Sequence, residues 1–503
     1  MAYTDMQYLG LFLPLTMLVY QITPKQYRQL VLLGFSLLFF WLCSHWLLLF
    51  ALAAVMAAYF GGRAVESSPK GMVRNFFFFA ALAAIIGILA VFKYTNFAIT
   101  VIDRVFSQSI PFVTIIAPIG ISYYSLEAIG YLLEVKWERI PAEKNLIRLA
   151  LFLTFFPQIM EGPIARYQDT ADQLVKGESI NMGGLNEGLL RIFYGMFKKL
   201  VIADRLAPIV KYLYGNADSL HGVLVAAAAV SYTMQLYMDF SGEIDIVIGS
   251  ARIFNIALPE NFRQPFFSQS ASEFWRRWHI SLGTWLKTYI FYPISTTPKM
   301  AEWVNFSRRH FGRYLTKLSV MAMALFPVWM LNGLWHGGRF NYLMYGMYYF
   351  VILMIGIALE PVKKGFYRKT HFNKNGVFFK GFRMVLTWII VFTGEMLFNS
   401  PSVGTWLLLC RHLFAGRAFF HVGTLTLSAM STDSADLLAA VVGTVLVLSV
   451  DDYQEKHGSV IKKIRTMRLP VRWALYYALV FAIIIFGAYG TGYQAVDPIY
   501  AGF

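Results

Sequence analysis

Long apolar runs follow one another along the whole chain, separated by short polar segments. A helix needs about 20 apolar residues to cross the hydrocarbon core of a bilayer. The pattern therefore predicts an all-α polytopic membrane protein with about eleven spanning helices. They are predicted at 8–22, 28–60 (long enough for two closely spaced helices), 74–101, 112–133, 146–160, 222–250, 318–336, 340–360, 382–399, 436–451 and 473–490.

The segments between these runs are short, with no linker rich in Pro, Gly or Ser and no soluble insertion of domain size. We therefore expect residues 1–503 to form a single integral membrane domain. The first run lacks a basic region and a small-residue cleavage site. It is predicted to be the first membrane helix rather than a removed signal peptide.

Two segments interrupt the apolar pattern with residues that break helices. Residues 111–134 contain Gly, Pro, Ser and Glu, and residues 155–167 contain two prolines, Glu161 and Gly162. Irregular backbone at membrane depth is tolerated only where protein buries it or where it lines a wet cavity. We therefore expect a hollow centre in the bundle. For either segment alone, the alternative is a helix end in a loop near the headgroups.

Composition excludes most other classes of protein. Of the 503 residues, 57% are hydrophobic and 14% are charged, against about 25% charged in soluble domains. So few charges could not keep this much apolar surface in solution, and a disordered, collagen-like or coiled-coil chain is excluded as well. The two cysteines, Cys43 and Cys410, lie in apolar runs and exclude a disulfide framework and a thiolate zinc site.

The basic residues account for the net charge of +16 and concentrate in short runs at 308–317, 363–383 and 456–472. Short loops rich in Lys and Arg stay on the cytoplasmic side and contact anionic headgroups. Nucleic-acid binding would need a soluble basic face or a motif such as a helix-turn-helix, and the sequence contains neither. We therefore expect membrane lipids, and no nucleic acid, among the partners.

The strongly apolar stretch 239–249 carries three acidic residues, which are Asp239, Glu243 and Asp245. An ionised carboxylate there costs at least a few kcal/mol unless it faces a polar cavity or a partner. One interpretation is that this stretch lines a substrate path, with Asp239 and Ser241 as candidate substrate-binding residues. The alternative is structural pairing with Arg252 or Arg263.

The segment 273–292 combines aromatic and basic residues in an unusual way. On a helix, one face would carry Trp275, Trp278, His279, Leu282 and Leu286. A second face would carry Arg276, Arg277, Ile280 and Lys287. Such a helix could lie in the interface, with its arginines on lipid phosphates. Alternatively, it is re-entrant, with His279 facing a reaction chamber and its arginines and tryptophans binding an anionic acyl donor.

A second histidine, His336, ends a long apolar run. Histidine transfers protons in catalysis because its ordinary pKa lies near neutrality. A lone histidine in a membrane helix is often a packing residue, but the glycines around His336 leave room for a substrate. The candidate substrate-binding residues here are Asn332, Trp335 and Gly337. Glu395 is a further buried acid whose partner the sequence does not identify.

Other chemistries find little support. Neither His279 nor His336 has the local spacing of His, Asp or Glu that zinc ligands show, so we expect no metal. The sequence contains no P-loop, no Gly-rich dinucleotide motif and no nucleophile elbow. Transport ATPases and serine hydrolases are thereby excluded.

Two motifs together resemble a known family. FWRRWHISLGTWLKTYIFYPI, which contains His279, and NGLWHGG, which contains His336, are similar to the two histidine motifs of the membrane-bound O-acyltransferases (MBOAT family). The likeness extends to the bacterial branch that holds the alginate O-acetyltransferase membrane subunit and the D-alanyl-lipoteichoic acid acyltransferase. It is supported in order along the chain by PIGISYYSLEAIGYLLEV, PAEKN, FFPQIMEGPIARY, GMFKKLVIADRLA, YMDFSGEIDIVIGSARIFNIALPENFRQPF and DPIYAGF. The chain departs from the family pattern at Glu161 and Glu243.

The resemblance implies a helical bundle around a central tunnel, in which His336 is catalytic and His279 is the second histidine of the chamber. It also implies a multi-pass protein of the bacterial cytoplasmic membrane that holds no bound cofactor. The implied donor is acetyl-CoA or an acyl carrier protein thioester. The acyl group would pass to an extracytoplasmic transferase partner and then to a hydroxyl of a cell-envelope polysaccharide or exopolysaccharide.

Three other functions stay open on the sequence. One is D-alanyl transfer to teichoic acid. Another is a transporter or flippase of an acyl-carrying lipid, which inverted repeats would favour, although none is visible. The last is a membrane anchor that binds a transferase without turning over a thioester.

Overall fold

The computed structural model describes residues 1–370, 373, 376–414, 426–490, 493 and 496. These residues form helices joined by turns and loops, with no β-strand among them. The α-helices are, in chain order, α1 (Leu13–Ile22), α2 (Arg28–Ser44), α3 (Leu48–Ser67), α4 (Met72–Phe106), α5 (Ile121–Lys136), α6 (Leu146–Thr154), α7 (Tyr167–Val175), α8 (Met182–Met196), α9 (Asp204–Gly215), α10 (Val223–Ile253), α11 (Ala271–Phe274), α12 (Ile280–Leu286), α13 (Tyr292–Ser295), α14 (Pro298–His310), α15 (Gly312–His336), α16 (Phe340–Ala358), α17 (Glu360–Thr370), α18 (Val377–Asn399), α19 (Val403–Leu413), α20 (Ser434–His457), α21 (Val460–Arg465) and α22 (Leu469–Phe486). Short 3-10 or π-helical turns join or extend them at Tyr8–Phe12, Lys25–Tyr27, His45–Leu47, Phe197–Ala203, Ala217–Ser219, Pro265–Phe267, Lys287–Phe291 and Ser428–Met430.

Eight helical segments in the described part of the chain are long and apolar enough to cross a membrane. They are Lys25–Ser67, Met72–Phe106, Val223–Ile253, Gly312–His336, Phe340–Ala358, Val377–Asn399, Ser434–His457 and Leu469–Phe486. The first of these contains both α2 and α3. The prediction of an all-α, multi-pass membrane protein is confirmed.

Three of the predicted spans form shorter helices. The first apolar run is helical over Tyr8–Ile22, α5 has 16 residues and α6 has nine. Gly120 ends the irregular chain before α5 with φ of +66°, and a Cβ there would lie 1.7 Å from the carbonyl oxygen of Ile159. That close approach requires glycine and fixes where α5 begins.

The two segments with helix-breaking residues have different surroundings. Residues 155–165 are non-helical yet buried throughout, as irregular backbone inside a bundle must be. Residues 107–117 are also non-helical, but most of them are exposed. The interpretation as buried irregular backbone therefore holds for 155–165. The interpretation as a helix end in an exposed loop holds only for the first residues of 111–134, because the rest of that segment leads into the buried helix α5. The carboxy-terminal motif DPIYAGF lies outside the described residues.

The helix α10 forms the centre of the bundle. In its most apolar stretch of 18 residues, 61% are buried, more than in the other candidate spans. Its glycines let α8 approach closely. A Cβ on Gly242 would lie 2.8 Å from the carbonyl oxygen of Gly195, and one on Gly249 would lie 2.6 Å from that of Gly188. Small residues at such crossings bring helix backbones together in membranes.

The helices α15 and α16 form a second tight pair. A Cβ on Gly333 would lie 2.3 Å from the carbonyl oxygen of Tyr342, and one on Gly346 would lie 2.2 Å from that of Trp329. This pair carries the second histidine motif at its turn, so the glycines of both helices set where His336 lies.

Candidate active site

The two histidines of the sequence motifs meet at one indole ring. The ring centroid of Trp335 lies 5.1 Å from that of His279 and 4.8 Å from that of His336. All three side chains are buried. The fold thus brings together two segments that are far apart in the chain.

The carboxy-terminal end of α15 positions His336. The helix ends at His336, and Gly337 follows with φ of +143°, a conformation that favours glycine. The Gly337 amide donates a hydrogen bond to the carbonyl oxygen of Leu334 at 3.0 Å. Phe398 from α18 and Tyr345 from α16 contact the imidazole edge to face, at ring distances of 4.8 and 5.9 Å.

Asn261 holds the backbone and ring of His279. His279 has φ of +45°, which costs a non-glycine residue of order 1–3 kcal/mol. The buried Asn261 side-chain oxygen lies 3.2 Å from Nδ1 of His279 and accepts two hydrogen bonds from Ser281, at 3.0 and 2.9 Å. Its carbonyl accepts from the amide of Ile280 at 3.0 Å. Burial lowers the pKa of His279, so its imidazole is neutral at physiological pH.

A cavity of about 250 Å³ reaches His279 and Asn332. Arg276 and Lys287 also line it, and most of the remaining wall is apolar. The side-chain oxygen of Asn332 is buried and has no hydrogen-bond partner among the described residues. Because buried polar atoms are normally paired, this oxygen is suited to accept a hydrogen bond from a bound molecule.

The prediction of one continuous helix over 273–292 is wrong. The segment contains the short helix α11, a bend at Trp275–His279 and the helix α12, followed by a π-helical turn. The predicted aromatic face and part of the predicted basic face line the same cavity, since Arg276 and Lys287 reach it but Arg277 and Ile280 do not. The cavity lining includes Trp275, Arg276, Trp278, His279, Leu282, Leu286 and Lys287.

The neighbouring arginines have different surroundings. Arg276 is exposed and donates only to the Ser272 hydroxyl among the described residues, at 3.1 Å. Arg277 instead forms ion pairs with Glu273 at 2.8 Å and Glu455 at 2.7 Å. The structure therefore leaves the charge of Arg276 available at the cavity and uses that of Arg277 to join α20 to the bend.

Two of the three acidic residues of α10, Asp239 and Asp245, pair with lysines. Lys199 donates to Asp239 at 2.6 Å, and Lys198 pairs with Asp245 at 2.5 Å. The predicted partner Arg252 pairs with Glu187 instead, and Arg263 forms no ion pair within the described ranges. The physical reason is the π-helical turn Phe197–Ala203, which directs both lysines at α10. Asp239 does not line the cavity at His279.

A larger cavity of about 1200 Å³ lies between α10 and the carboxy-terminal helices α20–α22. Ser241 lines it and accepts a hydrogen bond from Lys198 at 3.0 Å. Ile280, the neighbour of His279, lines the same cavity. The candidate residue Ser241 therefore faces a different space from Asn332.

Glu395 finds its partners on α16. Its carboxylate accepts hydrogen bonds from the hydroxyls of Tyr345 at 2.9 Å and Tyr349 at 3.4 Å. Tyr345 also contacts His336, so one tyrosine links this acid to the histidine. Neither Glu395 nor His336 is among the residues that line the cavity at His279.

Two residues near the site were not identified from the sequence. Asn261 lies in an irregular loop, and only the fold places its amide beside His279. Lys93 lies in the long apolar helix α4 and contacts Trp335. The one available signal for Lys93 was a single charge within an apolar run, which is rare and often functional.

The arrangement suits acid–base chemistry in an enclosed space. A neutral imidazole can accept a proton from a hydroxyl, and the apolar walls strengthen electrostatic interactions inside. No group of three or more His, Cys, Asp or Glu residues suited to a metal ion occurs in the part of the chain that is described.

Sequence comparisons link the chain to acyltransferases. The sequence model of the membrane-bound O-acyltransferase (MBOAT) family matches residues 123–306, which include His279 and stop short of His336. The chain is 31% identical to the "Probable alginate O-acetylase AlgI" of Azotobacter vinelandii, over 90% of this chain and 84% of that protein. It is 27% identical to the "Peptidoglycan O-acetyltransferase" of Helicobacter pylori, over 78% of this chain and 73% of that protein.

A third relative shares less of the chain. The "Teichoic acid D-alanyltransferase" of Bacillus subtilis is 29% identical over 48% of this chain and 58% of that protein.

Proposed function

The chain belongs to the membrane-bound O-acyltransferase family, and we propose that it moves an acetyl group from a cytoplasmic thioester across the bacterial inner membrane. The acetyl group serves O-acetylation of a cell-envelope or secreted polysaccharide. The meeting of His279 and His336 around Trp335, with His279 lining a cavity, carries this proposal. That the protein is an acyltransferase follows from its family.

His336 acts as the general base in this mechanism. Its imidazole accepts the proton of the acceptor hydroxyl, and the resulting alkoxide attacks the thioester carbonyl carbon. A tetrahedral oxyanion forms, the carbon–sulfur bond breaks, and the thiolate takes the proton back from the imidazolium. The products are the ester and the free thiol, so protons and charge balance.

The cavity at His279 supplies the donor's path. Its apolar walls suit the pantetheine arm of a thioester, and its two cations, Arg276 and Lys287, suit the phosphates of coenzyme A. Asn332 offers an unpaired oxygen to an amide N–H of that arm. Arg277 is left out of the donor site because two carboxylates take up its guanidinium.

The extent of the matches supports acetyl over D-alanyl transfer. The relatives named for O-acetylation match over 78% and 90% of the chain, whereas the named D-alanyltransferase matches over 48%. We propose acetyl-CoA or an acetylated carrier protein as the donor. The acceptor is a polysaccharide hydroxyl, reached directly or through an extracytoplasmic transferase.

The test is donor consumption by the purified protein. Radiolabelled acetyl-CoA and D-alanyl carrier protein are supplied separately, with alginate oligosaccharides or peptidoglycan fragments as hydroxyl acceptors. We expect acetyl-CoA, and not the D-alanyl carrier protein, to be consumed, and His336→Ala to abolish that consumption without lowering the melting temperature. His310→Ala is the matched control, because His310 is an exposed residue stacked on Phe306.

Two results would contradict the proposal. Transfer by His336→Ala at the wild-type rate would remove the catalytic assignment. A variant without both histidines that still moves an acyl-carrying lipid across the membrane of vesicles would establish a flippase instead.

A further inference from the structure

Lys93 places a positive charge directly beside the proposed reaction centre. Its ammonium donates to the hydroxyl of Ser122 at 2.7 Å and to the backbone carbonyl oxygen of Trp335. It also lies over the Trp335 indole, 5.4 Å from the ring centroid. Trp335 contacts both His279 and His336. The cation thus touches the residue that joins the two histidines.

The charge of Lys93 has no counter-ion in the described structure. Its contacts there are a hydroxyl, a carbonyl and an aromatic face, and no carboxylate lies within ion-pair distance. The two fully buried lysines, Lys198 and Lys199, each pair with an aspartate at 2.5 and 2.6 Å. An unpaired cation within a membrane span is costly and marks a functional site.

We propose that Lys93 is a positioning residue of the acyl-transfer reaction, which holds the end of α15 and stabilises the negative charge that develops beside His336. This inference rests on the proposed function. The reaction forms a tetrahedral oxyanion and then a thiolate in a space with mostly apolar walls, where a fixed positive charge acts strongly. The negative charge of the reacting group supplies the counter-ion that the resting protein lacks.

A purely structural role of Lys93 can be tested separately, because the neighbouring residue Tyr94 has such a role. The hydroxyl of Tyr94 donates to the carbonyl oxygen of Leu334 at 2.7 Å. Tyr94 and Lys93 therefore bind successive carbonyls at the end of α15, but Lys93 alone brings a charge. If capping were the whole role, loss of either side chain would have a similar effect.

The experiment compares Lys93→Met, Lys93→Arg and Tyr94→Phe in the full-length protein. Acetyl transfer from acetyl-CoA gives kcat and KM, and thermal unfolding in detergent gives the melting temperature. We expect Lys93→Met to lower kcat by about 100-fold, the loss typical of removing one group that stabilises an oxyanion. The KM for acetyl-CoA and the melting temperature should stay near the wild-type values. Lys93→Arg should recover most of kcat, and Tyr94→Phe should lower it only a few-fold.

Three results would overturn the inference. The first is a wild-type kcat in Lys93→Met. The second is an equal loss of kcat in Lys93→Arg and Lys93→Met. The third is a loss of kcat in Tyr94→Phe as large as that in Lys93→Met. Failure of the proposed function gives a different result: the wild-type protein itself would then transfer no acetyl group. If Lys93→Met does not fold, Lys93→Gln replaces it as the variant without a charge, and the same comparison with Lys93→Arg and Tyr94→Phe decides.

Discussion

The ring of His279 lies 5.1 Å from that of Trp335, the residue that precedes His336 in the chain. A bend that is left-handed at His279 and a helix end that requires Gly337 make this contact possible. The site is therefore built from the ends of elements rather than from their middles. Irregular backbone at membrane depth is tolerated here because protein surrounds it.

We predict that Asn261→Ala impairs both stability and activity. The Asn261 oxygen holds the strained turn at His279 and accepts two hydrogen bonds from Ser281. Its loss should lower the free energy of unfolding by about 1–3 kcal/mol, since buried donors are left unpaired. It should also lower kcat more than ten-fold. Thermal unfolding and acetyl transfer measure these effects, and Asn261→Asp, which keeps an acceptor at the same place, should retain more of both. Equal losses in the two variants would contradict this role.

The two neighbouring arginines should respond in opposite ways. Arg276→Gln is expected to raise the KM for acetyl-CoA about ten-fold, because one charge-assisted phosphate contact contributes of order 1.5 kcal/mol. Its melting temperature should not change, since Arg276 pairs with no carboxylate among the described residues. Arg277→Gln should lower the melting temperature and leave KM near normal, because it breaks the pairs with Glu273 and Glu455. Steady-state kinetics with varied acetyl-CoA decide this, and a raised KM in Arg277→Gln alone would reverse the assignment.

Two buried charges at α10 should differ in their contribution to stability: Lys199 of the adjacent π-helical turn and Glu243 of the helix itself. Lys199→Met is predicted to cost about 3–5 kcal/mol of stability, because Asp239 and Asp204 lose their shared cation. Glu243→Gln should cost less than about 1 kcal/mol, because the carboxylate of Glu243 has no hydrogen-bond partner among the described residues. Thermal unfolding in detergent measures both variants. Comparable losses would contradict this order and show that the carboxylate of Glu243 stabilises the fold as much as the cation of Lys199 does.

Close packing of α15 on α16 should matter for the site. Gly333→Val places new atoms where a Cβ would already lie 2.3 Å from the Tyr342 carbonyl oxygen. We expect a loss of stability of about 1–3 kcal/mol from overpacking, together with lower activity as the end of α15 shifts His336. Gly356→Val on α16 is the matched control, because nothing lies within 4 Å of a Cβ there. Activity retained in Gly333→Val would show that the site tolerates movement of α15.

Part of the site was predictable from residue types alone. His279, His336, Asn332 and Trp275 stood out because polar or bulky aromatic groups at these places fit poorly with plain lipid-facing helices. The prediction of a continuous helix over 273–292 was wrong because the spacing of apolar residues does not reveal where the backbone leaves the helical conformation. The expected pairing of the α10 acids with Arg252 or Arg263 failed for a related reason. Nearness in the sequence does not decide which helix packs against which.

The sequence by itself determined that this chain crosses a membrane many times, since long apolar runs with few charges have no other stable environment. It also identified the two histidine motifs, because their polar and basic residues are unfavourable on a helix that faces only lipid. The tertiary structure decided which groups share a space: Lys93 beside Trp335, Asn261 on His279, and Lys199 on Asp239. These pairings depend on glycine contacts and helix ends that bring distant backbones within a few ångströms. That distance is a property of packing in three dimensions, on which the linear order of residues carries little information.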